Sequence, residues 1–227
     1  MAAGGRDMVL SVEYCRGGDP CAGWVAALVD LWRCSGDIQA NWPSLLNNLD
    51  AANANAAAQR SGHYNDPDML LLGQPGISLL EAQSQIGAWA VVAAPLLLSL
   101  DLTIPQPPEL LALLLNKEVI AVSQDAGRVQ GVRVSAANAS GTECWARPLA
   151  AGAAADTTPP LAVLLLNRGG APSGASCTWA ELGIPAGATA AVRDLWAGRD
   201  LPPAAGAVSV ASLPPHGSAL LRVVAQA

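Results

Sequence analysis

The sequence predicts an α/β region followed by an all-β region. Up to about residue 125, apolar runs of about six residues alternate with helical stretches, which is typical of βα units and a parallel sheet. From residue 131 onward, short apolar runs are separated by Gly, Pro and Ala loops with no helix-length periodicity, which indicates antiparallel strands. We therefore divide the chain into residues 1–127 and residues 128–227.

Within the first region, the periodicity predicts four strands, a short helical stretch at residues 24–29 and four further helices. The predicted strands are residues 8–13, 31–34, 67–72 and 95–100. The further helices are residues 42–58, 78–93, 108–115 and 118–123, the second of them opened by a capping box of Ser78 and Glu81. Four βα units are about half of an eight-stranded barrel, so they form either a small open sheet or half of something larger.

Length and charge limit the classes of function. A chain of 227 residues holds one or two domains, and its net charge of −6 argues against nucleic-acid binding. The longest uncharged run, residues 82–100, is broken by glutamines and a proline. It therefore predicts an amphipathic helix leading into a buried strand rather than a membrane span.

Cysteines and residues outside the candidate site are interpreted as structural. The five cysteines match no zinc-binding pattern, so we predict free thiols, with a Cys15–Cys21 loop disulfide as the alternative in a secretory compartment. We interpret His63 and His216 as loop or packing residues, and Arg193 with Asp194 as an ion pair of the β region.

Carboxylates stand at or near the ends of three of the predicted strands. Glu13, Asp37 and Asp68 stand where the carboxyl ends of parallel strands carry functional residues, and Arg33 precedes Asp37 by four positions. This set suits a carbohydrate, whose hydroxyls pair with carboxylates. It also suits a divalent cation bound by Asp37, Asp66 and Asp68. The purely structural interpretation is a loop salt bridge between Arg33 and Asp37, with the other carboxylates as solvated loop acids.

Longer motifs carry a resemblance to a known family. The runs WRCSGDI (32–38), GHYNDPDML (62–70), ALLLNKEVIAVSQDAGRVQG (112–131) and ECWARPL (143–149) occur in this order. They closely resemble the C-terminal part of the eukaryotic α-galactosidase family of retaining glycoside hydrolases, whose motifs the α-N-acetylgalactosaminidases share. The resemblance implies the second half of a (β/α)8 TIM barrel in residues 1–127, beginning at its fifth strand, followed by an antiparallel β-sandwich domain in residues 128–227.

The resemblance also implies roles for individual residues. Asp37 corresponds to the general acid/base, and Arg33 to the arginine that orients the sugar near its 2-hydroxyl. Asp68 corresponds to the acceptor of a sugar hydroxyl, and Met69 to the floor of the pocket. Asp66 is expected to order its own loop.

Two further substrate-binding positions lie in the run SVEY. By the resemblance, Glu13 and Tyr14 correspond to positions near the 2-substituent of the sugar, where a glutamate favours galactose over the acetamido sugar. Val12 and Tyr14 depart from the family's Ser-Cys-Glu-Trp pattern, so the 2-hydroxyl contact and a local disulfide stay open.

By this resemblance, the function is hydrolysis of terminal α-D-galactosyl residues from oligosaccharides or glycoconjugates by a retaining two-carboxylate mechanism. The sequence contains no Lys-x-Asp nucleophile motif, so we expect these 227 residues to be inactive by themselves. A non-catalytic pseudoenzyme or residual carbohydrate-binding chain is the alternative, and a metal-dependent enzyme using Glu13, Asp37 and Asp68 is a distant third.

The resemblance and the composition also indicate the expected binding partners and the cellular compartment. No cofactor, resident metal, nucleic acid or membrane partner is expected, and a homodimer is possible for the full-length form. We find no signal-peptide pattern at the start of the sequence. A secreted, vacuolar or lysosomal-type compartment is implied for the full-length protein.

Overall fold

The computed structural model describes residues 7–13, 28–135, 141–150 and 158–226. In the first region its strands are β1 (Ser11–Val12), β2 (Leu31–Arg33) and β3 (Tyr64–Asp66). Its helices are α1 (Trp42–Ala54), a 3-10 turn (Ala56–Ala58), α2 (Leu79–Val91), α3 (Pro108–Leu114) and α4 (Lys117–Ser123).

The three strands of this region form a parallel sheet in the order β1-β2-β3, as the alternation of strands and helices predicted. The third predicted strand was misplaced, because β3 ends at Asp66 and residues 67–72 form a loop. Asp68 has φ of 82°, which interrupts extended backbone, and beyond it Leu70 makes only an isolated parallel bridge with Leu98. The fourth predicted strand, residues 95–100, is also not formed as a strand. Within it, only Leu98 takes part in strand pairing, through this one bridge. Three short strands do not by themselves define a barrel.

The helices begin as their sequences predicted. At α1, the Asn41 side chain accepts a hydrogen bond from the amide of Ser44, and a proline lies in the first turn. At α2, Ser78 and Glu81 form the full capping box. Most of the short helical stretch predicted at residues 24–29 lies outside the described residues. None of the helices in the described ranges is both long enough and apolar enough to span a membrane.

The second region is antiparallel throughout its described strands. They are β4 (Val132–Ser135), β5 (Thr142–Pro148), β6 (Leu161–Asn167), β7 (Ser173–Thr178), β8 (Thr189–Asp194), β9 (Arg199–Ala205), β10 (Ala207–Leu213) and β11 (Ser218–Gln226). Six strands form a sheet in the order β4-β5-β6-β11-β8-β9, and β7 pairs with β10. A four-residue helix, α5 (Trp179–Leu182), follows β7. The antiparallel prediction is confirmed.

The six-stranded sheet buries both of its faces, and alternate residues of β6 belong to different cores. Leu164 and Leu166 pack in a core shared with α2, whereas Val163 and Leu165 pack against the β7–β10 pair. This follows from the period of two in a strand. The α/β region therefore rests directly on one face of the sheet, and the second face completes a sandwich.

A disulfide joins the two layers of the sandwich. Cys144 in β5 is bonded to Cys177 in β7, so the prediction of free thiols is wrong for this pair. Cys34 is a free, buried thiol, while Cys15 and Cys21 lie outside the described residues.

The predicted ion pair of the β region is also corrected. Arg193 pairs with Glu118 of α4 at 2.7 Å and with Asp200 at 3.0 Å. Asp194 instead accepts hydrogen bonds from the backbone amides of Trp196 and Ala197. Side chains on adjacent strand residues point to opposite faces, which favours these separate partners.

Candidate functional site

The site is built at the carboxyl ends of β2 and β3. Arg33 ends β2 directly beside Asp66, which ends β3, and the amide of Cys34 donates to the Asp66 carbonyl at 3.0 Å. Trp32 anchors β2 in the core with no exposed surface. Because the strands are parallel and in register, the loops that follow both of them leave from the same edge of the sheet.

Arg33 brings together the two carboxylates that the sequence placed on separate loops. Its Nη2 atom lies 3.2 Å from Oδ1 of Asp37 and 2.5 Å from Oδ2 of Asp68. The Arg33 side chain is mostly buried, whereas that of Asp37 is 67% exposed. Asp37 is therefore held near the guanidinium on one side and open to solvent on the other.

Asp68 is fixed by more contacts than Asp37. Its Oδ2 also accepts the amide of Ile38 at 2.9 Å, which ties the loop after β3 to the loop after β2. Its Oδ1 accepts the amide of Met69 at 2.7 Å. The left-handed backbone at Asp68 costs about 1–3 kcal/mol, and strain of this kind collects at functional sites.

Asp66 stabilises this strained conformation through a hydrogen bond to the Asp68 backbone. Its Oδ1 accepts the amide of Asp68 at 2.9 Å, and the side chain is buried. Burial raises the pKa of Asp66, and the hydrogen bond from Asp68 and the charge of Arg33 offset only part of that rise. Asp66 thus orders its own loop.

Three buried side chains that the sequence analysis did not single out, two of them polar and one a tryptophan, hydrogen-bond the two loops to α1 and α2. The amide nitrogen of Asn48 donates to the carbonyls of Gly36 and Pro67 at 3.1 and 2.9 Å, joining both loops to α1. Gln85 of α2 accepts from the amide of Leu71, and Trp89 donates to the carbonyl of Asp68. Asn48 and Gln85 could have been recognised from the sequence as polar side chains on the buried faces of predicted helices.

These loops enclose an open cavity of about 470 Å³. It is lined by Arg33, Asp37, Ile38, Gln39, Ala40, Asp68, Met69, Leu71, Gln74 and Ser99. Four of the predicted site residues, Arg33, Asp37, Asp68 and Met69, thus line the same cavity. Glu13 follows β1 at the same edge of the sheet but does not line this cavity, and Tyr14 lies outside the described residues.

A larger cavity, of about 590 Å³, opens at the opposite edge of the sheet. It adjoins Leu31 and Tyr64, the first residues of β2 and β3, and the buried Arg147. Arg147 donates to the carbonyls of Ala90 and Ser123 near the carboxyl ends of α2 and α4, where a cation stabilises helix dipoles. We therefore assign Arg147 to the fold and place the candidate site at the other edge.

Two other kinds of chemistry, metal binding and nucleophilic attack by a cysteine, find little support at the site. Among the described residues, no three His, Cys, Asp or Glu side chains are grouped to hold a metal ion, and Glu13, Asp37 and Asp68 do not form such a group. Burial, with a smaller contribution from Asp66, raises the pKa of the Cys34 thiol to about 12. A buried, protonated thiol is a poor nucleophile.

The fold and site together define a parallel-sheet pocket, with an arginine between two carboxylates, that rests on a β-sandwich. Comparisons with known protein families agree with both parts. The family described as alpha galactosidase A matches residues 1–125, and the alpha galactosidase C-terminal beta sandwich domain matches residues 139–223. The chain belongs to the alpha galactosidase A family.

Individual relatives are consistent with this assignment. Alpha-galactosidase 2 of Arabidopsis thaliana is 38% identical over 192 residues, 85% of this chain and 46% of the relative. Alpha-N-acetylgalactosaminidase of Gallus gallus is 35% identical over 176 residues, 76% of this chain and 42% of the relative. The crystal structure of alpha-galactosidase I from Mortierella vinacea superposes with a TM-score of 0.86 at 26% identity, covering 96% of this chain and 59% of that one. This chain therefore spans about half the length of the curated relatives it matches.

Proposed function

We propose that this chain carries the acid/base half of a retaining α-galactosidase that acts on terminal α-D-galactosyl residues. In this proposal, residues 1–127 are part of a (β/α)8 barrel and residues 128–227 are its β-sandwich domain. The observation that carries the proposal is the position of the Arg33 guanidinium between Asp37 and Asp68, on the loops whose motifs match the family.

Asp37 has the surroundings that a general acid/base needs. It reaches Arg33 through one oxygen, and most of its side chain is open to the cavity and to solvent. It can therefore approach a glycosidic oxygen, protonate it, and later accept a proton from water. Arg33 positions Asp37 and supplies donors for a sugar hydroxyl.

Asp68 is better suited to binding than to attack. Its two oxygens already accept hydrogen bonds from Ile38 and Met69, and Arg33 adds a charge-assisted contact. These donors stabilise the carboxylate and reduce its nucleophilicity, but they leave accepting capacity for a sugar hydroxyl. Met69 is 43% exposed at the wall of the cavity and offers an apolar surface to the sugar ring.

Retaining hydrolysis needs a second carboxylate about 5 Å from the acid/base. Asp68 is occupied by its donors, and the only lysine of the sequence, Lys117, is not part of a Lys-x-Asp motif. We therefore assign the nucleophile to residues outside this sequence and expect these 227 residues alone to bind sugar without hydrolysing it. Glu13 and Tyr14 are proposed to contact the sugar near its 2-substituent in the complete pocket.

The proposal has a binding test and a catalytic test. Saturation-transfer NMR with galactose should detect binding by the chain, and binding should be lost in Arg33→Ala and retained in Asp37→Asn. The chain alone should release no p-nitrophenol from p-nitrophenyl α-galactoside. A fusion to the remaining N-terminal portion of Arabidopsis alpha-galactosidase 2 should release it, and Asp37→Asn should lower that rate by at least about 100-fold.

The outcomes separate the alternatives. Galactose binding without turnover, even in the fusion, would favour the pseudoenzyme or carbohydrate-binding chain. Clear turnover by the 227 residues alone would contradict the assignment of the nucleophile. Activity abolished by a chelator would favour the metal-dependent alternative.

A further inference from the structure

A histidine of the β-sandwich contacts both helices that follow the site loops. His216 lies in the turn between β10 and β11, and its ring stacks on that of Trp42 with centroids 4.5 Å apart and planes 14° from parallel. Its Nδ1 atom lies 2.8 Å from Oε1 of Glu81. Trp42 is the first residue of α1, and Glu81 lies in the first turn of α2.

The turn that presents His216 is held rigidly. The side-chain amide of Asn167, which is fully buried, donates to the carbonyls of Leu213 and Pro214, and the amide of Gly217 closes the turn onto Pro214. His216 itself has φ of 61°, in the left-handed region that non-glycine residues seldom adopt. A strained residue on a rigid turn is typical of a position with a specific task.

The two helix starts that His216 touches are close to the cavity along the chain. The loop from Asp37 to Ala40 lines the cavity and ends at Trp42, while Gln74 lines it from the loop that ends at Ser78. These two loops also meet each other, because a Cβ at Gly76 would overlap the carbonyl oxygen of Ala40. A contact that spans Trp42 and Glu81 therefore restrains both loops at once.

We propose that His216 is a positioning residue for the candidate site: from the β-sandwich, it clamps the starts of α1 and α2 and so holds the two site loops in register. We call the His216, Trp42 and Glu81 contacts the clasp. The identity of the ligand at the site rests on the proposed function. The clasp does not, because it is inferred from contacts that hold the loops.

The clasp should strengthen in mildly acidic solution. Glu81 is the titratable group that contacts the imidazole among the described residues, and Trp42 is neutral. A protonated imidazole beside Glu81 forms an ion pair, whereas a neutral imidazole forms only a neutral-donor hydrogen bond. Charge-assisted hydrogen bonds are about twice as strong as neutral ones.

Glu81 stays ionised in mildly acidic solution and can supply the negative charge of such an ion pair. Burial works to raise the pKa of Glu81, but hydrogen bonds from Ser78 and His216 outweigh it and leave that pKa below its ordinary value. A lowered carboxylate pKa means that the stabilisation is present above the ordinary pKa of glutamate and is lost only as the pH falls through the lowered value. Glu81 therefore remains an anion in mildly acidic solution, beside the imidazole that it contacts.

Hydrogen exchange of the Ile38 amide measures the register of the loops, because this amide donates to Asp68 across them. In the unmodified chain, we expect its protection factor to rise about fivefold from pH 8 to pH 5.5. His216→Asn suits the left-handed backbone and retains a donor near Glu81 but cannot take up a proton, so its protection should stay flat with pH. His216→Ala should lower protection about tenfold at both pH values, and amides of the β8–β9 pair serve as the control.

The result is decisive in either direction. An identical pH profile at Ile38 in His216→Asn and in the unmodified chain would overturn the proposal. Parallel changes in the β8–β9 amides would also overturn it, because they would indicate general destabilisation. Glu81→Gln preserves the capping box and should remove the pH dependence just as His216→Asn does. No glycoside enters the measurement, so failure of the proposed hydrolase activity would not affect it.

Discussion

The α/β region and the β region of this molecule are held together by different means. In the α/β region the parallel strands are only two or three residues long, and buried polar side chains such as Asn48 and Gln85 carry much of the connection between loops. In the β region the strands are four to nine residues long, and backbone ladders, two apolar faces and a disulfide hold them.

The difference explains where a site can be placed. Long ladders determine register over many residues, but they leave little freedom to aim individual side chains. Loops after short strands can adopt unusual backbone, as at Asp68, provided that side chains from neighbouring helices restrain them. The β region therefore stabilises the α/β region, because one face of its six-stranded sheet packs in the core of the α/β region.

The largest effect is expected from removing a fully buried tryptophan of the α/β core. Trp89 is fully buried and donates to the Asp68 carbonyl, so Trp89→Ala should cost about 3–5 kcal/mol and loosen the site. Trp179→Ala is the matched control, since Trp179 is buried in the other core and also donates to a carbonyl. Urea unfolding with exchange at Ile38 should show that only Trp89→Ala disturbs the site loops. Equal disturbance by both variants would contradict the separation of the two cores.

The next effect concerns the disulfide. Replacing Cys144 and Cys177 together with serine should lower the free energy of unfolding by about 2–4 kcal/mol. A reducing agent should lower the urea midpoint of the unmodified chain toward that of the double variant. An unchanged midpoint in the variant would show that the sandwich layers do not depend on the bond.

A smaller effect is expected at Asn48. Asn48→Ala leaves the carbonyls of Gly36 and Pro67 without this donor and should cost about 1–3 kcal/mol. Galactose affinity, measured by NMR titration, should fall in this variant. Asn47→Ala is the control, because Asn47 is the exposed neighbour on the same helix and should change neither property measurably. Equal losses in the two variants would refute the role assigned to Asn48.

The smallest effect is a lack of reactivity at Cys34. Because burial raises the pKa of its thiol to about 12, the native chain should resist alkylation by iodoacetamide at pH 8. Peptide mapping by mass spectrometry should find Cys34 modified only after the chain is unfolded in urea. Rapid modification of the native chain would indicate that the α/β region opens far more readily than its packing suggests.

Local patterns in the sequence were enough to predict the helix starts and the character of both regions. The capping box of Ser78 and Glu81, the antiparallel strands of the β region and the parallel sheet of the α/β region were all predicted correctly. Each depends on residues close together in the chain, where side-chain periodicity and capping chemistry act directly. The motifs around Arg33, Asp37 and Asp68 also identified the family from their residues alone.

Tertiary structure alone decided what these residues contact. The Arg33–Asp68 pair, the Cys144–Cys177 disulfide and the His216–Glu81 pair join residues 35, 33 and 135 positions apart. No local pattern specifies such pairs, because they form only when separate elements pack against each other. The left-handed backbone at Asp68, which displaced the predicted third strand, is also held by distant residues, because the Trp89 indole donates to its carbonyl and the Ile38 amide donates to its carboxylate.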